Sequence, residues 1–332
     1  MKKYFLPGFV LGLMLILLPA CSRDSRTKVI KLGHALNADH PVHKAMVFMA
    51  DRVKEKSDGR LRIDIYPSQQ LGTERELVEL LQIGSLGITK VSSGVIEGFV
   101  PVHKVFGLPY LFRDEEHRFC VLEGEVGKQI LLSSEQYWLR GLCYYDAGSR
   151  SFYSKDKPIL TPADLAGLKV RTMNSPTAVA MIQQMGGSAT PIAWGELYTA
   201  LQQGVVDAAE NNPPSYHLSR HYEVCKHYSL DEHTSVPDVL LISTIIWNDL
   251  TPQEQQWLQE AADESAQYQK QLWKEACEFA LQEVQKSGVK VYYPDKRAFA
   301  EKVAPIYERY RDQPELYELI QKIRTESDGK PN

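Results

Sequence analysis

The chain has 332 residues, 43% hydrophobic and 24% charged, with a formal net charge of -4. That length exceeds one ordinary core, so two domains are expected. The acidic balance argues against nucleic-acid binding, which needs a basic face, and the composition is that of a folded globular protein without a fixed-period repeat or low-complexity tract.

The N-terminal 20 residues read apart from the fold. "MKKYFLPGFVLGLMLILLPACS" opens with Lys2 and Lys3, runs through an apolar stretch too short for an ordinary membrane span, and ends in small residues. This is the pattern of a secretory signal over 1–20. Leu18-Pro19-Ala20-Cys21 resembles a bacterial lipobox, which makes Cys21 an acylated first residue; a conventional signal cleaved nearby is the alternative. Removal of 1–20 leaves 36 basic against 42 acidic residues, net -6. A protein of that charge must bind anions with local arginines rather than its overall field. Cys120, Cys143, Cys225 and Cys277 show neither C-x-x-C nor metal-ligand spacing and read as isolated buried thiols.

After a linker over 21–28, "KVIKLGHA" reads as a strand and "HPVHKAMVFMADRVKEKSDG" as a helix closed by Gly59. "RLRIDIYP" alternates as a strand should, and "TERELVELLQIGSLG" is helical. This β-α-β-α beginning predicts a mostly parallel sheet covered by helices. "LGITKVSSGV" supplies the next strand, and 135–160 reads as long irregular strands.

A second set of βα units begins at Thr161, the N-cap of "TPAD". "LKVRT" is a strand, "NSPTAVAMIQQMGG" a helix ending at Gly186, "SATPIA" a strand, "WGELYTALQQG" a helix and "VVDAAENN" a strand. These strands end in polar or aromatic clusters: Arg171 to Asn174, Trp194, and Asn211-Asn212. Ligands of open α/β sheets sit outside the carboxyl ends of the strands, so these clusters should converge. Thr251 and Glu254 then form a capping box around Pro252, and Gly288 offers a stop, predicting a helix over 251–286. At 1.5 Å per residue such a helix is roughly 50 Å long, a brace across two lobes. Its predicted apolar stripe is Trp257, Ala261, Tyr268, Leu272, Ala276 and Phe279, with Ser265 in the gap and Ala280 and Val284 carrying it one turn further.

Arg171 ends a strand just before a helix start, where a guanidinium can grip a carboxylate with two parallel hydrogen bonds. Arg150, in "DAGSRSFY", offers a second cation, Asn211 a donor and an acceptor, and Trp194 a stacking face. Taken alone, each has an ordinary reading: an ion pair for Arg171, a surface arginine for Arg150, an Asx-turn for Asn211, core packing for Trp194. His217, His221, His227 and His233 follow no zinc spacing. No nucleophile elbow, phosphate loop or paired-carboxylate motif stands out, so nothing argues for an enzyme, a metal or a cofactor.

"PSQQLGTERELVELLQIGSLGI", "GLPYLF", "DLAGLKVR", "PIAWGELYTALQQGVVDAAENNPPSY" and "HYEVCKHYSL", in this order, resemble the solute-binding receptors of tripartite ATP-independent periplasmic (TRAP) transporters. The resemblance runs from about Lys28 to about Tyr310. It implies an α/β, two-lobed periplasmic binding protein with a cleft between the lobes, hinge strands and the long bridging helix. The implied lobes are 29–147 plus 237–275 and 148–236 plus 276–325. The implied partners are an organic acid and the transporter's membrane subunits. The implied place is the periplasm of a Gram-negative bacterium, with the membrane touched only through the lipid on Cys21. Carried over by motif, Arg171 is the carboxylate clamp, with Asn211 and Arg150 in the same site. Glu74 of "LGTERE" and Ser93 of "VSSG" fall in ligand-facing loops of the first lobe, and His34 is a further liner.

With Asn174 and Asn212 nearby, these groups offer more hydrogen bonding than a bare dicarboxylate requires. Glu74 would repel a second carboxylate yet accept from hydroxyls. The reading favours a hydroxylated sugar acid such as glucuronate or galacturonate, with malate or succinate as the alternative ligand. An exported enzyme acting on sugar acids and a periplasmic sensor are the alternative classes.

Overall fold

The computed structural model describes residues 27–326; the leader and Cys21 lie outside the described residues. In chain order the strands are β1 (Lys28–Gly33), β2 (Leu61–Tyr66), β3 (Ile88–Ser92), β4 (Leu139–Tyr145), β5 (Arg150–Ser154) and β6 (Lys169–Thr172). They continue as β7 (Ser188–Pro191), β8 (Ala208–Asn211), β9 (His227–Thr234), β10 (Asp238–Ser243) and β11 (Lys290–Tyr292). They form two sheets, ordered β2-β1-β3-β10-β4 and β11-β9-β5-β8-β6-β7.

Parallel pairing holds where it was expected, and one inserted strand makes each sheet mixed. The β-α-β units do pair in parallel, β1 with β2 and β3 in one sheet, β6 with β7 and β8 in the other. Strands arriving from the opposite sheet run antiparallel: β10 between β3 and β4, β5 between β8 and β9. A helical crossover returns the chain to the same edge and keeps strands parallel, whereas a direct crossing between sheets inverts direction. The chain makes that crossing twice, from β4 to β5 and from β9 to β10.

The third crossing is the helix Pro252–Lys286, 35 residues long, capped by the Thr251–Glu254 box with Pro252 in its first turn. It packs on the helix Pro41–Lys56 and β4 of the first lobe and on the helix Pro213–Leu218 of the second. Its buried face keeps Ala261, Ser265, Ala280 and Val284 of the predicted stripe and otherwise turns toward Leu258 and Trp273. Leu258, Ala261, Ala262, Ser265, Ala266, Gln269, Trp273, Ala280 and Val284 are buried, while Phe279 is 57% exposed. Trp257 instead carries the Arg60 guanidinium 4.7 Å above its ring. The two polar members of the buried face are satisfied. Ser265 Oγ pairs with Tyr145 OH at 2.8 Å, and Gln269 bonds both N and O of Asp146, each at 2.8 Å, where β4 leaves its sheet.

The C-terminal helix Pro314–Thr325 buries Ile320 and Ile323 against the segment around Pro101–Gly107. His117 Nε2 meets Ile323 O at 2.8 Å, and Tyr307 OH donates to Pro109 O at 2.7 Å.

Candidate functional site

The carboxyl ends of β6 and β8 point at the junction of the lobes, as the strand-end rule requires. A cavity of about 50 Å³ lies there, room for only a few waters. The second lobe contributes Arg150, Arg171, Met173, Trp194, Asn211, Asn212 and Ser215; the first contributes Leu36, His40, Glu74, Lys90 and Ser92. Asp238, at the start of a crossing strand, Trp273, on the long helix, and the apolar Ala147 and Val236 complete the lining. The lobes touch around it. His40 Nε2 lies 3.4 Å from Ser215 Oγ, and Ser92 Oγ lies 3.4 Å from Met173 Sδ. Farther along the interface, buried Glu97 accepts from Ser175 Oγ and Thr177 N, both at 2.8 Å, at the start of the helix Pro176–Met185.

Arg171 is 3% exposed and donates through Nε to Ile192 O at 2.9 Å. Its guanidinium carbon sits 5.7 Å from the Trp194 ring centroid. The two terminal nitrogens find no acceptor among the described residues. Burial pulls this guanidinium's pKa below its ordinary value. A buried cation without a counter-ion is costly, and an arriving carboxylate would relieve that cost.

Arg150 is differently placed. Its Nη2 donates to Glu210 Oε1 and to Glu210 O, both at 2.8 Å, and its Nε faces Glu210 Oε2. Nη1 donates to Asn211 Oδ1 at 3.0 Å. Glu210 Oε2 lies 3.6 Å from His233 Nε2, too long for a hydrogen bond but close enough for an ionic contact. Asp231 Oδ2 sits 2.8 Å from the other ring nitrogen. Burial opposes charge on both groups, but the partners win. Arg150 and His233 bring Glu210 down to about 2, and Asp231 and Glu210 lift His233 to about 9. The relay behind Arg150 is therefore charge-balanced.

The first-lobe wall is built around Lys90, 2% exposed. Its Nζ donates to Glu74 Oε1 and Asp238 Oδ1, each at 3.1 Å. Burial disfavours the ammonium, but the two carboxylates outweigh it and raise its pKa. Arg150 is thus neutralised by Glu210 and Lys90 by its two acids. Arg171 alone among the cavity cations has no carboxylate partner among the described residues.

Residues 32–313 match the family described as bacterial extracellular solute-binding protein, family 7. The chain belongs to this family. Across 322 residues it is 40% identical to the Salmonella typhimurium protein YiiZ, covering 96% of this chain and 98% of that one. A TRAP periplasmic solute-binding protein of Xanthobacter autotrophicus Py2, solved with bound β-D-galacturonate, is 38% identical with a TM-score of 0.87. That match covers 90% of this chain and all of the other. The Chromohalobacter salexigens protein solved with bound D-glucuronate is 36% identical with a TM-score of 0.88, over the same shares. This family 7 chain is therefore a two-lobed solute-binding receptor rather than an enzyme, of an extracytoplasmic family. No helix among the described residues is long and apolar enough to cross a membrane.

The receptor brings Arg171, Arg150, Asn211, Asn212, Glu74 and Trp194 together around one cavity. Three other predicted residues lie outside the lining of this cavity. Ser93 is fully buried beyond the strand end, and its neighbour Ser92 lines the cavity instead. His34 is held behind the wall: its Nδ1 accepts from Leu36 N at 3.2 Å and its Nε2 meets His43 Nδ1 at 2.9 Å. His40, caught by Val42 N and facing Ser215, takes the lining position. Asn174 is exposed and borders a side recess with Glu74, Arg171 and Trp194. Asn212 faces the cavity while its side chain caps the helix Pro213–Leu218, so the proline pair opens a helix. Lys90, Asp238 and Glu210 escaped the sequence reading. Their one signal was a charge inside an apolar strand, in "ITKVS", "DVLLIS" and "VVDAAEN".

Proposed function

We propose that this receptor captures a hydroxylated sugar acid of the uronate class for a TRAP transporter. Arg171 grips the carboxylate, and Arg150, Asn211, Glu74 and Trp194 complete the site. The observation that carries the reading is the buried, carboxylate-free guanidinium of Arg171, facing a wall of hydrogen-bonding groups. The galacturonate and glucuronate bound in similar receptors support the same ligand class. A six-carbon acid can enter so small a cavity only if the lobes part, so the two strand crossings and the long helix act as the hinge. Under this reading the lobes are 29–147 plus 237–275 and 148–236 plus 276–325. The leader exports the chain, Cys21 carries the lipid, and the loaded receptor docks on the membrane subunits.

A thermal-shift panel tests the ligand class. D-galacturonate or D-glucuronate should raise the melting temperature, since a ligand at 100 times its Kd adds about 2.7 kcal/mol. Malate, succinate and neutral galactose should not. A shift with malate and none with either uronate rejects the proposal in favour of a dicarboxylate.

A further inference from the structure

The first-lobe wall does more than supply acceptors. We propose that Glu74 and Asp238, organised by Lys90, limit the ligand to one carboxylate and make this receptor reject sugar diacids. The inference rests on the uronate reading and specifies its selectivity.

The three side chains come from separate elements but meet by register. Ser92 pairs with Asp238 and Lys90 with Leu240 across the β3–β10 ladder, so Lys90, Ser92 and Asp238 share one sheet face. Glu74 begins the helix Glu74–Gln82 and closes the triangle. One ammonium between two carboxylates leaves a surplus negative charge. Each acid spends one oxygen on Lys90; Glu74 Oε2 and Asp238 Oδ2 have no partner among the described residues, and both residues line the cavity. Such oxygens accept from ligand hydroxyls, which donate. A second carboxylate offers only acceptors and adds like charge in a buried space, a juxtaposition that strongly suppresses wrong ligands. The site thus separates a hydroxyl from a carboxylate at the end of the ligand remote from Arg171. Lys90 is a positioning residue, holding both acids in place.

Calorimetric titration of the receptor with D-galacturonate, galactonate and galactarate tests this, because the last two are both acyclic and differ by one carboxylate. Wild type should bind galacturonate, and should bind galactarate at least about 100-fold more weakly than galactonate. Glu74→Gln and Asp238→Asn should each narrow that gap about tenfold or more by binding galactarate more tightly, a gain that mere structural damage cannot produce. Glu74, partly exposed at 16% of its side chain, provides a variant that keeps its fold if the more buried Asp238 change does not. Equal rejection of galactonate and galactarate, or an unchanged gap in Glu74→Gln, overturns the inference while leaving the uronate reading intact. Failure of wild type to bind any uronate overturns both.

Discussion

Glu210 is the acid behind Arg150, and Glu210→Gln removes its charge with little change of shape. The side chain is 1% exposed and Arg150 is 6% exposed. The substitution leaves His233 facing Asp231 and strands Arg150, whose other acid neighbour is Asp238. Breaking one side of a buried ion pair costs about 3–5 kcal/mol, because the stranded charge stays desolvated. At roughly 2 °C per kcal/mol for a chain this long, melting should fall by about 6–10 °C. Replacing both partners, as Arg150→Met with Glu210→Leu, should recover most of that loss, since an apolar pair carries no stranded charge. Urea denaturation at pH 6, followed by circular dichroism, measures both. Within about 1 kcal/mol of wild type for Glu210→Gln, or strictly additive losses in the double variant, would refute the reasoning.

Stability should peak near neutral pH and fall more steeply on the acid side. His34 is held at about 2, and His40, His103 and His221 at about 3, chiefly by burial. Unfolding restores each to the usual value near 6.5, so the unfolded chain binds extra protons below that pH and stability drops by up to about 1.4 kcal/mol per unit for each. His233, raised to about 9, works oppositely: its contribution is complete below about 6.5 and is lost as pH climbs through 9. Between pH 4 and 9 these four groups oppose one, so melting curves over that range should show a steeper acid limb; a symmetric profile would contradict it. Gln269→Leu should destabilise the receptor by about 2–4 kcal/mol, because it strands two buried main-chain groups of Asp146 at the hinge. A midpoint in urea unchanged from wild type would count against that role.

The parts of the fold that the sequence reveals are those written locally. The long helix announces itself through Thr251, Pro252 and Glu254, which need no distant partner. Arg171 and Asn211 are legible for a similar reason: each ends a strand whose direction the β-α-β pattern sets. What stays hidden depends on contacts across the chain. Lys90 and Asp238 are 148 residues apart, and neither carries a local mark of the ion pair that permits its burial. The buried face of the long helix was misjudged in part because Gln269 counts as polar until Asp146 is known to meet it. Ser92 and Ser93 differ by one residue, yet only Ser92 lines the cavity, while Ser93 is fully buried. The packing of the helix Pro314–Thr325 on the segment around Pro101–Gly107 has no local signal at all; only the buried Ile320 and Ile323 show it.

The account turns on Arg171 as the cation left for the ligand's carboxylate. Calorimetric titration of D-galacturonate into wild type and Arg171→Met tests it most directly. Wild type should bind one equivalent, and the variant, still folded by circular dichroism, should lose at least about a hundredfold in affinity, the scale expected for a desolvated charge-assisted pair. Binding by Arg171→Met within about tenfold of wild type would show that the carboxylate is held elsewhere and would contradict the account.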